Sequence, residues 1–475
     1  MKHVFTTIII LLYLYTLISI ILVLLLENRN PIKSIAWVLV LLFLPVLGMF
    51  FYLLFGQDYR KKKIISDKSI RKVIDQPVAS FNIDNLDAKQ FSNSQFNLIK
   101  LLYNNSGSVG YANNNIEIYS DGISTFEALF KAINSAENHI HIEFFIFDDD
   151  KISNQLREIL IRKAKDGIRV RMIYDYWGSF DLSKKYLKSL KDAGVYVRPF
   201  LPFRWKISRT NKINYRNHRK LLIIDGKIGF TGGLNIADRY AYGNKLGNWR
   251  DTFVKFEGAA VHGLQLLFMI DWYFVDQKLI DGEKYFPHPT KYEQNLVQIV
   301  NSGPDSDWAA ILQGIVSAFS TATKYIYIHS PYFMPTEVIS SSIQMAALSG
   351  IDVRLMIPLK SDAPFSDAST ESYLSQALEA GVKIYRYKKG VLHSKAMVID
   401  DYISIIGSCN LDERSFVQNF EANAFIYDKK TALTLKEHFI KDLENCNELT
   451  LEIWSNRTHH QKLKESFARL FSPLM

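Results

Sequence analysis

Two stretches of the sequence contain the same spaced set of polar residues, in the pattern H-x-K-x4-D-x6-G-x-x-N. Each set combines an imidazole, an ammonium, a carboxylate and an amide. One such match could arise by chance, but two matches at equivalent places in one chain argue for function. The first set is His218, Lys220, Asp225, Gly232 and Asn235, and the second is His393, Lys395, Asp400, Gly407 and Asn410.

These residue types suit phosphoryl transfer. Imidazole can attack phosphorus as a nucleophile or protonate a leaving alkoxide. Lysine and asparagine can bind the non-bridging oxygens, where negative charge accumulates in the transition state. Two converging sets would supply enough such groups without a divalent metal, and the sequence contains no H-E-x-x-H, D-x-D-x-D-G or Walker pattern. We therefore expect no cofactor.

Strand periodicity predicts how each set is positioned. The run HRKLLIID is typical of a strand, in which alternate side chains share a face, so His218 and Lys220 should point the same way. Asp225 and Gly226 form a hairpin-type turn signal, and the returning strand GFTGG would bring Asn235 back to the same place. Asp225 itself falls on the opposite face or in the turn. We favour a structural carboxylate there over a direct chemical role.

The two sets close two copies of a longer repeat. In each copy, helical patterns that end at glycine alternate with β-rich runs, which is typical of an α/β fold. The repeat predicts two similar halves that face each other, each a mixed β-sheet flanked by helices and related by pseudo-twofold symmetry. The matching segments are 132–147, 164–175, 190–200 and 217–235 in the first copy, and 318–333, 347–359, 378–387 and 392–410 in the second.

Two uncharged apolar segments near the start are long enough to cross a bilayer. Residues 4–26 and 35–55 each exceed the roughly 20 helical residues that a hydrocarbon core of about 30 Å requires. Pro45 and Gly48 are compatible with a membrane helix. A cleaved signal peptide is the alternative for the first segment, but the run is too long and lacks a small-residue cleavage site. We predict a transmembrane hairpin of two helices.

Basic residues predict the orientation of this hairpin. Lys2 and the cluster RKKK at 60–63 lie on one side of it, so the positive-inside bias places both ends and the large domain in the cytoplasm. The formal net charge of +9 would then attract the protein to an anionic membrane surface. We expect a multi-pass protein located in the cell membrane.

Length and cysteine content set the domain plan. A chain of 475 residues suffices for more than one core, and its two cysteines exclude a disulfide scaffold or a cysteine-rich zinc cluster. We predict a transmembrane hairpin at 1–60, a linker at 61–110, a first half at 111–290, and a second half with C-terminal helices at 291–475.

With these motifs in view, the sequence resembles the phospholipase D superfamily, whose members have HKD motifs, and within it the bacterial cardiolipin synthases. The resemblance extends over nearly the whole chain. The stretches that support it are LFLPVLG, RNHRKLLIIDG, NIADRY, NWRDTFVKFEG, HSPYFMP and NLDERSFVQNFEANAFIYD.

The resemblance implies a phosphatidyltransferase that converts two phosphatidylglycerol molecules to cardiolipin and glycerol. One histidine would form a phosphatidyl-histidine intermediate. The other would protonate the leaving glycerol and then deprotonate a hydroxyl of the second lipid. By analogy with the family, His218 is the nucleophile and His393 the acid and base, although the near-symmetric motifs leave these roles interchangeable on sequence alone.

The resemblance also implies an acidic partner for each histidine, downstream of its motif. Asp251 in WRD and Glu421 in NFE match, and each would orient an imidazole and raise its basicity. Gly233 stands where the second motif has Ser408, and the family accepts both. The expected catalytic residues are His218, Lys220, Asp225, His393, Lys395 and Asp400, with Asn235, Asn410, Asp251, Glu421 and Ser408 in support and no metal.

Other functions remain open at this stage. A phospholipase D that hydrolyses lipids to phosphatidic acid, or a phosphatidyltransferase with another acceptor, would have the same site. A nuclease of the superfamily would suit the positive charge, but the membrane hairpin argues against it and against a nucleic-acid partner. Two intact motifs argue against an inactive scaffold. The expected partners are phosphatidylglycerol, cardiolipin and an anionic membrane surface, and the oligomeric state is undetermined.

Two weaker features accompany the motifs. Glu143 and His329 occupy corresponding places on the first strand of each half, where they could face the cleft or be buried for structural reasons. Basic residues within 204–216 precede the first motif, and they could bind lipid phosphates or simply form a solvated face.

Overall fold

The structure is a computed structural model that describes residues 2–26, 31–52, 91–202, 215–470 and 472. These residues fall into a helical N-terminal unit and a large α/β unit. The RKKK cluster at 60–63 and residues 203–214 lie outside the described residues. The helices are α1 (Lys2–Leu26), α2 (Pro31–Phe43), α3 (Pro45–Phe51), α4 (Asn93–Ser106), α5 (Gly122–Asn134), α6 (Lys151–Lys165), α7 (Lys184–Asp192), α8 (Asp238–Tyr242), α9 (Ala260–Asp276), α10 (Ala310–Ser320), α11 (Glu337–Leu348), α12 (Pro364–Glu379), α13 (Glu413–Val417), α14 (Lys429–Leu443), α15 (Leu451–Ser455) and α16 (His459–Arg469), with a 3₁₀ turn at Glu283–Tyr285.

The strands belong to the large unit. They are β1 (Gly110–Ala112), β2 (Asn114–Asp121), β3 (His139–Phe144), β4 (Arg169–Asp175), β5 (Tyr196–Phe200), β6 (Arg216–Asn217), β7 (Leu221–Ile224), β8 (Ile228–Gly232), β9 (Asn248–Gly258), β10 (Leu296–Ser302), β11 (Tyr325–His329), β12 (Phe333–Met334), β13 (Asp352–Pro358), β14 (Lys383–Tyr387), β15 (Gly390–Leu392), β16 (Ala396–Ile399), β17 (Ile403–Gly407), β18 (Leu411–Asp412), β19 (Asn419–Tyr427) and β20 (Cys446–Leu449).

The N-terminal unit contains one described helix that could cross a membrane by length and composition, at His3–Leu25. The described part of the second apolar segment is helical on both sides of Leu44, where φ is −133° and ψ is 68°. Pro45 is the first residue of α3, a position where its missing N–H is tolerated. The end of the predicted span, beyond Tyr52, lies outside the described residues.

Apolar contacts hold the helices of this unit together. Val23 of α1, Leu41 of α2 and Tyr52 just after α3 are fully buried against one another. The ring of Trp37 meets that of Tyr52 edge to face, with 5.3 Å between centroids. Most other large apolar side chains of α1 are exposed, which is the arrangement that lipid tails would solvate.

Two sheets of equivalent strand order form the large unit. The first runs β2-β9-β8-β7-β3-β4-β5 and the second runs β10-β19-β17-β16-β11-β13-β14. In each, three parallel strands adjoin antiparallel ones, as βαβ crossovers followed by a hairpin require. The predicted α/β fold of two similar halves is confirmed.

Each half has its own hydrophobic core. The parallel strands are nearly continuous buried runs, such as β3 and β11, because helices cover them. The first core includes Ile140, Met172 and Leu222, and the second includes Ile326, Leu355 and Met397.

The chain enters the second core before it enters the first. Residues of α4, within the stretch predicted as a linker, bury Leu98, Ile99 and Leu102 in the second core. The next strand, β1, pairs with β10 of the second sheet. The C-terminal helices also pack on the second half, where Trp454 is buried in the same core.

Candidate active site

The backbone of each motif histidine is held by the opposite half. Strand β6 pairs in parallel with β19, and the next residue, His218, donates its N–H to the carbonyl of Phe420 at 2.9 Å. Strand β15 pairs in the same way with β9, and His393 donates to the carbonyl of Arg250 at 2.8 Å. Both motifs therefore meet at the seam between the halves.

Glycine permits one of these close approaches. Gly390 begins β15 with φ of +150°, and a Cβ there would lie 2.0 Å from the carbonyl oxygen of Asn248. A side chain would therefore clash with the strand that holds His393, and we infer that the crossing between halves depends on this glycine.

The His218 side chain has a defined tautomer. Its Nδ1 lies 3.0 Å from a carboxylate oxygen of Glu421 and 3.0 Å from the carbonyl oxygen of Ser408. Both are acceptors, because the pKa of buried Glu421 is held below its usual value by His218 and Lys220 against the effect of burial. Nδ1 must then carry the hydrogen, which leaves the lone pair on Nε2.

The His393 side chain has the corresponding partner. Its Nδ1 lies 2.7 Å from Oδ2 of Asp251, whose pKa is raised by burial to about 6. The ammonium nitrogen of Lys395 lies 3.1 Å from Nε2 of His393. The resemblance implied that each acid serves the motif that precedes it. In the structure the partners are exchanged, since Asp251 of the first half contacts His393 and Glu421 of the second half contacts His218.

Both imidazoles are neutral in the free site. Burial lowers the pKa of His218 to about 4, an effect that the nearby Glu421 opposes but does not overcome. Burial and the charge of Lys395 lower the pKa of His393 well below its usual value. A neutral imidazole is the form that can attack an electrophile or accept a proton.

The two motif lysines lie beside their own histidines. Lys220 Nζ donates to the carbonyl oxygen of His218 at 2.6 Å, and Lys395 Nζ donates to that of His393 at 2.5 Å. Both side chains are almost wholly buried. Burial lowers the pKa of Lys220 to about 7 and that of Lys395 to about 8, so each ammonium loses its proton more readily than a surface lysine.

The motif asparagines are already partly engaged. Asn235 donates from its amide nitrogen to the hydroxyl of Tyr240 at 2.7 Å, and its Oδ1 accepts from the N–H of Ile146 at 3.2 Å. Asn410 hydrogen-bonds the carboxyl group of Asp412. Each amide therefore has only part of its hydrogen-bonding capacity left for a ligand.

Local contacts explain why the first motif has Gly233 where the second has Ser408. The carboxylate of Asp251 lies against Gly233 so closely that a Cβ there would be 2.2 Å from Oδ1. In the other half, the hydroxyl of Ser408 fits and donates to Glu421. The two carboxylates are thus held by different local contacts.

Asp225 and Asp400 are not brought to the histidines. Asp225 lies in the turn after β7 and accepts three backbone N–H groups at 2.8 Å, from Glu137, Asn138 and His139. Asp400 accepts in the same way from residues 323–325. At about 3.3 Å per strand residue, the seven residue steps from His218 to Asp225 span about 23 Å along the chain. These contacts fit a structural carboxylate.

We predict that Asp225→Asn affects stability far more than chemistry. Asparagine tolerates the left-handed φ of 55° but turns an amide group toward three N–H donors. A lost charged hydrogen bond costs about 1.5–3 kcal/mol, so the melting temperature should fall by several degrees. Turnover by the folded fraction should change less than about threefold. An unchanged melting curve with a hundredfold activity loss would contradict this role.

Glu143 and His329 lie beneath the site. Glu143 is fully buried and accepts from the side chain of Asn217, which precedes His218. His329 is buried with Nε2 at 3.3 Å from Asp442. Neither Glu143 nor His329 is among the described residues that line the cavity. Their positions favour support of the strands that hold the motifs.

One cavity of about 350 Å³ contains both histidines. Arg239 and Arg414 line it, and sequence reasoning missed them. The repeat could have revealed both arginines, because each follows its motif asparagine by four residues. The other lining residues include Phe145, Ile146, Arg216, Asn235, Tyr240, Tyr332, Met334, Asp362, Asn410, Asp412 and Asn419.

The site and fold define a class of protein. Two histidines that line one cavity between two equivalent α/β halves, each with a buried lysine beside it, are the arrangement of a phosphotransferase with paired HKD motifs. A solved structure supports the fold: phosphatidylserine synthase of Haemophilus influenzae Rd KW20 aligns with a TM-score of 0.61 at 15% identity, covering 79% of this chain and all of that one.

The sequence comparisons identify the family. A family model described as "Cardiolipin synthase, PLD-like domain" matches residues 129–247 and 315–443, and one described as "Phospholipase_D-nuclease N-terminal" matches 11–57. A cardiolipin synthase of Clostridium perfringens (strain SM101 / Type A) is 41% identical over 94% of this chain and 95% of its own length. One of Halalkalibacterium halodurans is 40% identical over 97% and 92%. The chain belongs to the cardiolipin synthase family and is a phosphatidyltransferase of the phospholipase D superfamily.

Proposed function

We propose that the enzyme converts two molecules of phosphatidylglycerol to cardiolipin and glycerol. Nε2 of His218 attacks phosphorus, the bond from phosphorus to the glycerol oxygen breaks, and His393 supplies the proton that the leaving alkoxide takes. His393 then removes the proton from a hydroxyl of a second phosphatidylglycerol. That oxygen attacks phosphorus and the bond to His218 breaks, so His218 returns to its starting state. His393 again holds the proton that it took up from solvent when the donor lipid bound, and it returns that proton to solvent when cardiolipin leaves.

One observation supports this mechanism above others. Both histidines line a single cavity, and each has Nδ1 tied to a buried carboxylate. That contact directs the reactive Nε2 away from the carboxylate and stabilises an imidazolium when one forms. The roles assigned to the two histidines rest on the family analogy.

The lysines supply positive charge for the phosphoryl oxygens. Lys220 and Lys395 lie beside the two histidines, where low solvent exposure strengthens their attraction for developing negative charge. An anionic phosphodiester bound between them would favour protonation of His393 and so prepare it to act as an acid.

We expect kcat/KM to be highest between about pH 4 and about pH 7 and to fall on both sides of that range. The acid limb follows protonation of His218, with a pKa of about 4, because imidazolium cannot attack phosphorus. The alkaline limb follows loss of charge from Lys220 and Lys395, with pKa values of about 7 and about 8. Rates at low substrate in detergent micelles report this free-enzyme profile. A rate that stays constant as the pH rises well above 8 would contradict the role of lysine charge.

We also propose how the enzyme sits at its membrane. The hairpin at 1–60 and linker at 61–110 would anchor the halves at 111–290 and 291–475 on the cytoplasmic side, as a multi-pass protein. The apolar helix at His3–Leu25 and the basic flanks of the hairpin support this orientation. Anionic phospholipids would then be both substrate and docking surface.

The lipid product tests the proposal. Purified protein in detergent, supplied with phosphatidylglycerol and no nucleotide, should form cardiolipin and free glycerol in equal amounts. Thin-layer chromatography of the lipids and an enzymatic glycerol assay measure both products. If phosphatidic acid is the sole lipid product, water is the acceptor and the synthase proposal fails.

A further inference from the structure

The cavity has two chemically different walls although the halves are related by a repeat. Three residues after Glu143 and His329, the first half presents Ile146 and the second presents Tyr332. Two residues after the motif asparagines, the first half has Ala237 and the second has Asp412. Ile146, Tyr332 and Asp412 line the cavity and Ala237 does not, so the second half presents a hydroxyl and a carboxyl group where the first half presents one apolar side chain.

The second-half wall combines several hydrogen-bond acceptors with the cation of Arg414. Asp362 lines the cavity with an exposed carboxylate, which accepts from the hydroxyl of Tyr332 at 2.5 Å. Asn410 and Asn419 also line it, and each is more than nine-tenths buried.

The two amides are oriented by carboxylates. Asn419 donates from its amide nitrogen to Glu421 at 3.2 Å, and Asn410 is bonded to Asp412. Their Oδ1 atoms are buried, and within the described part of the chain neither has a hydrogen-bond partner. Buried polar atoms are rarely left unpaired, so these oxygens await a donor from a ligand.

Carboxylate and amide oxygens repel the oxygens of a phosphodiester and attract hydroxyl groups. A neutral polyol is therefore the chemistry that this wall fits, and the phosphate belongs nearer the lysines. The glycerol head of phosphatidylglycerol has two free hydroxyls beyond its phosphoester oxygen, and both can donate.

Asp362 lies near the imidazole that would protonate the leaving alcohol, whereas Asn419 is bonded to Glu421, the partner of His218. Asp362 is close enough to His393 for its charge to raise the pKa of that imidazole. His393 is the proposed acid for the leaving glycerol and base for the incoming hydroxyl. Because the second step reverses the geometry of the first, both alcohols occupy the same place.

We propose that Asp362, Asn410 and Asn419 form a polyol subsite that recognises the free hydroxyls of the glycerol head. The inference rests on the proposed function and deepens it. It explains how one subsite holds first the departing glycerol and then the glycerol head of the second lipid. Tyr332 is a positioning residue that orients the Asp362 carboxylate.

The test compares two donors that differ only in these hydroxyls. Phosphatidylglycerol releases glycerol, and phosphatidyl-1-propanol releases an alcohol of the same length without the two hydroxyls. We measure the ratio of kcat/KM values for alcohol release by the full-length enzyme in detergent micelles. Asp362→Asn should reduce the preference for phosphatidylglycerol roughly tenfold or more, since hydrogen bonds to a charged group are the strong ones. Tyr332→Phe should reduce it by a smaller factor.

A matched control separates recognition from charge. Glu379→Gln removes one exposed carboxylate from the helix that follows Asp362, and it should leave the ratio unchanged. An unchanged ratio in Asp362→Asn, or equal slowing with both donors, overturns the subsite. Alcohol release does not depend on the acceptor, so a wild type that makes phosphatidic acid refutes the synthase proposal while the ratio still tests the subsite. A wild type that releases neither alcohol refutes both.

Discussion

With phosphatidyl-p-nitrophenol as substrate, His393→Ala should release one equivalent of p-nitrophenol per enzyme in a burst, and His218→Ala should release none. The p-nitrophenolate group leaves without a proton, so the first step no longer needs an acid. Removing His393 then blocks mainly the second step, in which a base must activate the incoming hydroxyl. Removing His218 leaves no nucleophile, and no covalent intermediate can form.

The expected effects on the natural reaction are large. Loss of general acid and base catalysis alone costs about 10²–10⁴-fold, so cardiolipin formation by His393→Ala should fall by that factor. His218→Ala should fall at least as far. Stopped-flow absorbance measures the burst. Mass spectrometry of His393→Ala should locate a phosphatidyl group on the peptide that contains His218.

Two outcomes would contradict this assignment. A burst from His218→Ala, with the label on His393, would reverse the roles. Labelling of neither histidine would refute the covalent mechanism. His459→Ala is the control. This histidine begins α16, its side chain is exposed, and it is not among the described residues that line the cavity.

The sequence was most informative where chemistry and local periodicity coincide. The motif spacing predicts that His218 and Lys220 share a face, and the structure places Lys220 beside its histidine. The turn signal at Asp225 predicts a structural carboxylate, and three backbone amides bind it. Both features depend on a few neighbouring residues, and local backbone geometry largely determines them.

The exchange of partners between the halves could not be predicted in this way. Glu421 binds His218 across 203 residues, and Asp251 binds His393 across 142. These pairings depend on β6 crossing to β19 and on β15 crossing to β9. Such short strands have no periodicity of their own, and the repeat is equally consistent with each acid serving its own half.

The remaining differences have similar causes. Pro45 is tolerated in membrane helices, so composition alone did not predict the φ and ψ of Leu44. The burial of α4 in the second core is also non-local, because its apolar residues have no partner nearby in sequence. Arg239 and Arg414 were detectable, since the repeat places them at one spacing, but a motif that ended at asparagine excluded them.

The crossed carboxylates give the second large prediction. Glu421→Gln should slow the p-nitrophenol burst by about 10²–10⁴-fold, because the amide can present an N–H to Nδ1 of His218 and so favour the tautomer that protonates Nε2. Asp251→Asn should leave the burst close to that of the wild type. It should nevertheless slow cardiolipin synthesis by a similar factor, since Asp251 serves His393. Burst rate and steady-state rate measure the two steps separately.

The different effects of the two variants on the burst rate test the crossed pairing of carboxylates and histidines. If each acid served the histidine of its own half, Asp251→Asn would abolish the burst and Glu421→Gln would spare it. Glu444→Gln, an exposed carboxylate just after α14, should change neither rate. Both site variants remove one buried acid without changing side-chain size. Once His218→Ala has identified the nucleophile, opposite effects on the burst therefore report which histidine each carboxylate serves.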